Sequence, residues 1–231
     1  MLDAAKDTTG ADGRATRWDA HKAQRRLEVL DAAVAAIEQD GPGVGVKQIA
    51  ERVGVPRPVV YRHFKDREDL DEQIRQRVVE MLMAELAPTL APGGTTSQTI
   101  RRAVDTYLGW IERHPRLHHF LGAGSNRERG TASRVVSGTK TAIAIRLTEL
   151  FADALRRFDR NTAFAEPLAF GLVGLVDATV NRWLADPDKT LTSAQLADFL
   201  SGSAWFLIEG NLAVVGVHVD PETPLSELLG E

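Results

Sequence analysis

No cysteine occurs in the 231 residues, which excludes disulfide staples and thiolate metal sites. No apolar run reaches the roughly 18–20 residues that cross a bilayer, and the start, MLDAAKDTTGADGRAT, has no apolar core of a signal peptide. The expectation is a cytoplasmic protein without a membrane partner. Strand-like alternation backed by turn chemistry is missing, as are internal repeats and low-complexity tracts. Only the tail VVGVHVDP reads as an extended piece. No nucleophile elbow, Walker loop, dinucleotide fingerprint or zinc-hydrolase motif occurs, so nothing speaks for an enzyme or a cofactor.

What the chain does have is helix. Hydrophobic residues at 43% are enough for a real core, and they recur at helical spacing. Leu27, Leu30, Val34 and Ile37 mark a first helix that stops at Gly41-Pro42-Gly43. KQIAERVG and PRPVVYRHF read as two short helices, and DREDLDEQIRQRVVEMLMAEL as a long fourth ended by Pro88. SQTIRRAVDTYLGWIERH, PRLHHFLG, a helix carrying Ile143 to Phe158, and two apolar helices split at Pro187 complete the pattern. AGSNRERGTAS reads as a flexible polar stretch. The reading is all-α, with three parts: a flexible polar arm over 1–18, a three-helix N-terminal domain over 19–65, and a larger helical domain over 66–231.

Charge is divided unevenly. Between Arg14 and Arg67 there are 11 Lys+Arg against 7 Asp+Glu, or +4, and the remainder carries 17 against 25, or −8. A basic segment beside an acidic remainder suits a protein that meets a polyanion with one end, although ordinary charge fluctuation produces such splits too. The basic segment holds GVPRPVVYRHFKDRED. Ile49, Val53, Val55 and Val60 there can share a small core, Ala50 allows close approach, and Gly54 suits a left-handed turn. Pro56 and Pro58 sit at the start of the next helix, where a missing N–H costs little. These are features of a helix-turn-helix, whose second helix enters the DNA major groove. Arg57, on its first turn, can fork to guanine O6 and N7. Tyr61, His63 and Lys65, or the start of the fourth helix, can donate to phosphates. A helical hairpin with a solvated basic face is the competing explanation.

IAERVGVPRPVVYRHFKDREDL, preceded by one amphipathic helix and followed by a long linking helix, resembles the N-terminal domain of the TetR family of transcriptional regulators. Ile49, Ala50, Gly54, Val55, Tyr61, His63, Phe64 and Arg67 match the family pattern in order and spacing. YLGWIERHPRLHHFL and Trp183 also resemble many members. The resemblance implies a homodimeric repressor that binds double-stranded DNA at a palindromic operator and leaves it when a small hydrophobic effector binds the larger domain. By position it implies that Lys47, Arg57, Pro58, Tyr61 and Arg62 face bases or the groove, and that Val46, His63, Lys65 and Arg67 lie by the DNA backbone. Gly45 and Val46 stand where Thr residues often cap the second helix, Pro56 replaces a Ser cap, and Arg67 takes a common Lys position.

For the effector, Tyr107, Trp110, Leu117, Phe120, Phe151, Phe164 and Phe170 are expected either to line an apolar pocket or simply to fill the core. Asp177, Asn181, Glu209 and Asn211 interrupt apolar helices, and such groups are expected to find a ligand, a second subunit or water at a helix end. His114, His118 and His119 lack a carboxylate at ligand spacing, so no metal is expected. A helical lipid- or drug-binding carrier without specific DNA binding is the alternative.

Overall fold

The computed structural model describes residues 9–91, 93–125, 134–188 and 190–229. Among them are ten α-helices and two 3₁₀ turns, with no strand beyond an isolated bridge between Thr95 and Pro224. The helices group into two compact units. One runs through Val78 and includes Arg116–Ala123. The other comprises Val79–Pro115 and the described residues from Gly124 on.

The first unit begins with α1, Thr9–Asp40. Of the arm expected over 1–18, residues 9–18 belong to α1, and residues 1–8 lie outside the described residues. Residues 9–18 are helical because the Ala, Arg, Lys and Gln that follow are strong helix formers and extend a helix already nucleated downstream. Val29, Ala33 and Ile37 on α1 are buried to 1% exposure or less. Leu27, expected on that apolar face, is instead exposed, one residue around the turn from the buried stripe. α2, Val46–Val53, packs on α1 and buries Ile49 and Ala50.

α2 ends in a Schellman turn. The Gly54 N–H donates to the Glu51 carbonyl at 3.1 Å and the Val55 N–H to the Ala50 carbonyl at 3.0 Å. Gly54 takes φ +75°, ψ 32°, the left-handed region that its missing side chain permits. Pro56 then caps α3, Arg57–Val60, a single turn rather than the longer helix expected over PRPVVYRHF. Beyond Val60 the chain tightens: the His63 N–H donates to the Val60 carbonyl at 2.9 Å and Arg62 to Val59 at 3.2 Å. Both are bonds of the tighter three-residue kind. Phe64, 1% exposed, anchors this turn, and α4, Arg67–Leu86, follows. Leu117 and Phe120 of α6, Pro115–Ser125, are also buried in this unit.

The second unit contains α5, Thr96–Arg113; α7, Arg134–Arg157; α8, Ala165–Leu184; α9, Ser193–Val214; and α10, Leu225–Leu229. α7 packs on α8, α5 on α9 and α8 on α9. Leu155, Ala165, Leu172, Ala204, Ile208, Leu212 and Val217 form its core. Phe158, expected on the apolar side of α7, lies past its end and is exposed. The tail is not merely extended: it crosses the start of α5 and ends in α10, which packs on α7. The Thr96 and Ser97 N–H groups donate to the carbonyls of Thr223 and Pro221 at 3.1 and 3.0 Å, and Leu225 N–H to that of Gly94 at 3.0 Å. Helix-start donors are thus satisfied by the far end of the chain. Most of AGSNRERGTAS lies outside the described residues.

The expectation that no stretch suffices for a membrane crossing needs correction. Thr162–Leu184 is long and apolar enough by length and composition, yet only 22% of its apolar window is buried within this chain. A core or interface helix of a water-exposed protein passes the same test.

Candidate nucleic-acid interface

The Schellman turn and Pro56 aim the start of α3 outward, so Arg57 and Pro58 are exposed while Val60, on the opposite side, is fully buried. The Arg57 guanidinium lies over the Tyr61 ring, 5.6 Å from its centroid, and donates to the Tyr61 hydroxyl at 3.5 Å. This i, i+4 stacking leaves the guanidinium fork with most of its donors unused. Lys47 is 82% exposed and pairs only loosely with Glu51, at 3.8 Å. Arg62 and Lys65 are exposed as well. Arg67 differs: its Nε pairs with the largely buried Asp71 carboxylate at 2.9 Å, so a phosphate must compete with that partner.

α2 lacks a side-chain cap at its start. The Gln48 amide oxygen accepts from the Gly45 N–H at 2.8 Å, half of a capping box, but Gly45 has no side chain to return the bond. Backbone donors there stay open to an anion. The start of α4 is the reverse case. Asp66 accepts from the Asp69 N–H at 2.8 Å and Asp69 from the Lys65 N–H at 2.9 Å. These carboxylates occupy the Asp69 and Lys65 N–H groups, so a phosphate at that helix end has to use the remaining first-turn donors.

His63 is half-buried, and its Nδ1 is enclosed without a hydrogen-bond partner. Its pKa is lowered, first by burial and then by Lys22, Arg26, Arg25 and Arg62, so the ring is neutral near pH 7. The Arg26 guanidinium also lies over the Phe64 ring at 5.2 Å. α1 brings Lys22, Arg25 and Arg26 to His63, three residues that the sequence reading did not single out. Their i, i+3, i+4 spacing, which puts all three on one face of α1, was the available signal. Lys22, Arg25, Arg26 and Arg62 thus gather around His63, and Arg57 on Tyr61, Lys47 and Lys65 are exposed on α3 and the segments flanking it, a set whose chemistry suits phosphates and a base contact at Arg57.

Residues 29–74 match the family of bacterial regulatory proteins named tetR, and they cover the end of α1, α2, α3 and the start of α4. That segment is a TetR-family DNA-binding domain. An uncharacterised HTH-type transcriptional regulator of Mycobacterium tuberculosis is 28% identical over 204 residues, covering 88% of this chain and 85% of that protein. The HTH-type transcriptional activator FasR of Mycolicibacterium smegmatis is 26% identical over 162 residues, 70% of this chain and 73% of FasR. A tetR-family regulator from Streptomyces coelicolor shares the fold, with a TM-score of 0.64, 21% identity and coverage of 90% and 87% of the two chains. With this domain and these relatives, the chain is a DNA-binding transcriptional regulator, a class that is not enzymatic.

The residues proposed for the effector fall in both units. Leu117 and Phe120 belong to the first unit, where Phe120 lies beneath the Arg75 guanidinium at 5.1 Å. Tyr107 and Trp110 belong to the second. Trp110 is fully buried against the His114 ring, 5.2 Å away, and Phe151 packs on the second unit's core. Phe164 and Phe170 are exposed and line no interior. Asp177 already has a partner within the chain: Lys140 Nζ at 2.7 Å, with the Asn181 amide donating to Asp177 Oδ1 at 2.9 Å. Burial, with Asp177 second, raises the Tyr107 pKa and keeps that hydroxyl protonated. Tyr107, Lys140, Asp177 and Asn181 therefore form a polar group on α5, α7 and α8. Asn211 donates to the Leu207 carbonyl of its own helix at 2.7 Å. Among the described residues no three His, Asp or Glu side chains form a metal-binding group.

Proposed function

We propose that this regulator is a homodimeric repressor of the cytoplasm that reads a palindromic operator and is released by a hydrophobic or amphipathic small molecule. The observation that carries the DNA half is the geometry around α3: an exposed Arg57 poised on Tyr61, exposed Lys47 and Lys65, and Lys22, Arg25, Arg26 and Arg62 around His63. One turn of helix is a small reading head. Two copies, about one DNA turn or ~34–36 Å apart, supply the missing affinity.

Support for the dimer comes from α8 and α9. Phe170, Phe199, Phe206 and Val214 are 43%, 53%, 71% and 82% exposed in a single chain. Four large apolar groups on two neighbouring helices suit burial in a four-helix bundle. Support for the effector comes from the second unit, where the Tyr107–Lys140–Asp177–Asn181 group offers polar contacts beside an apolar core. FasR is named an activator, so activation is the second reading for the direction of control.

The test is fluorescence anisotropy with DNA from upstream of the protein's own gene and with genome-selected fragments, against scrambled DNA. The expected result is at least ~10³-fold preference for one site, with two chains per site. Tight binding of hydrophobic ligands with no preferred DNA from either source favours the carrier. Deleting the gene distinguishes repression, in which target transcripts rise, from activation, in which they fall.

A further inference from the structure

The second unit holds a cleft of about 650 Å³ outside the aromatic set considered above. It is lined by the first turns of α5 (Ser97, Arg101 and Arg102), by Ser201 and Trp205 on α9, and by Pro221 of the C-terminal segment. Its size suits a drug-sized molecule, for which pockets of ~300–1,000 Å³ are usual. The charges in its wall are not equivalent. Arg101 is held by Asp105, at 2.8 Å, and by Asp198, and these bonds raise its pKa. Arg102 meets only neutral oxygens among the described residues, the Gly93 carbonyl and, at 3.0 Å, the Thr99 hydroxyl. The Ser201 hydroxyl is buried with no hydrogen-bond partner. The nearby Glu222 carboxylate accepts from the Ser97 hydroxyl at 2.9 Å. A cation without a counter-ion and an unsatisfied hydroxyl share the cleft with the apolar surfaces of Trp205 and Pro221.

We propose that this cleft binds an amphipathic carboxylic acid, with its carboxylate on Arg102 and Ser201 and its apolar body against Trp205. Guanidinium and hydroxyl both donate, and a carboxylate accepts from both. A neutral isostere leaves the Arg102 charge unanswered. Ser201 and Trp205, four residues apart, lie on one flank of α9, whereas Phe199 and Phe206, seven apart, lie on another. As a place for the effector, the cleft rests on the ligand-responsive reading; as a binding site, it is measured without DNA.

The experiment follows the indole N–H resonances of the labelled full-length chain, with the Trp205 signal assigned through Trp205→Phe. Phenylacetate and decanoate are titrated beside their methyl esters. Expected is a saturable shift of the Trp205 signal by at least one acid, with the ester about tenfold weaker, the size of one lost charge-assisted contact. Arg102→Gln weakens the acid to the level of its ester. Gly202→Leu is expected to remove binding while keeping the fold: Gly202 lines the cleft, a Cβ there meets no atom within 4 Å, and leucine favours a helix over glycine. An unmoved Trp205 signal with both acids at millimolar concentration, equal affinity for acid and ester, or undiminished binding in Gly202→Leu overturns the proposal. Anisotropy on operator DNA with the bound acid then reads the effector role separately. Binding without DNA release keeps the site and rejects it as the switch.

Discussion

Arg57 and Lys65 are both exposed cations of the same short segment, yet their settings assign them different work. Arg57 begins α3 with its fork steadied on Tyr61, whereas Lys65 is a flexible point charge at the edge of α4. Arg57→Ala is expected to cost about 1–3 kcal/mol on the preferred site and little on scrambled DNA. Lys65→Ala is expected to weaken both alike and to lower the salt slope by about one. Anisotropy titrations at several salt concentrations check this, and equal loss of discrimination in the two variants contradicts the division. His63 adds a pH term whose sign differs between free and bound protein. In the free chain its folded pKa lies below the ordinary 6.5, so the unfolded chain takes up the proton first. Its stability contribution is full above about pH 6.5 and is lost as pH falls toward the folded pKa. Phosphates nearby favour the imidazolium, so DNA affinity is expected to rise over the same interval. His63→Gln should flatten both trends, read by urea unfolding and by anisotropy at about pH 7.5 and 5.5.

At the level of elements, the C-terminal segment is the part whose removal says most. Ending the chain after Val219 deletes the acceptors of the Thr96 and Ser97 N–H groups and lifts the buried Leu228 from its contacts. Three backbone bonds at ~0.5–1.5 kcal/mol each and one leucine at ~1.5–3 kcal/mol set an expected loss of about 3–7 kcal/mol. Urea unfolding of the truncated chain measures it, and an unchanged midpoint means that the segment only rests on α5. This segment also marks where legibility in the sequence ended. Helix positions were readable because apolar periodicity is local, and the Gly54 turn was readable because few other residues tolerate φ +75°. The partner of α5's first turn is over a hundred residues away, at Pro221 and Thr223, and no local pattern encodes such a pairing. The same holds for the interface. Arg57, Tyr61 and Lys65 stood out inside one short motif, but Lys22, Arg25 and Arg26 reach His63 only through the packing of α1. Among the effector residues, Leu117 and Phe120 looked equivalent to Trp110 by type, and only the fold assigns them to different units.

For the whole molecule, the question is what covers the phenylalanines of α8 and α9. A chain that carries +4 over residues 14–67 and −8 elsewhere has no charge pattern that would bring a nucleic acid to an apolar surface. A second copy offers the same apolar helices, and a two-fold axis makes each face its own complement. Phe206 is the sharpest probe, because at 71% exposure it contributes little to the folding of one chain. Phe206→Glu is therefore expected to leave the unfolding midpoint of the isolated chain almost unchanged. In a dimer it places two carboxylates in a desolvated seam, which raises the dissociation constant by at least about a hundredfold. Sedimentation at micromolar concentration should show a monomer. Operator affinity should fall with it, since a lone α3 turn keeps only one half-site, while binding to scrambled DNA per chain stays close to wild type. If Phe206→Glu remains a dimer on its operator, the α8–α9 face is not the seam, and the two reading heads must be held together elsewhere.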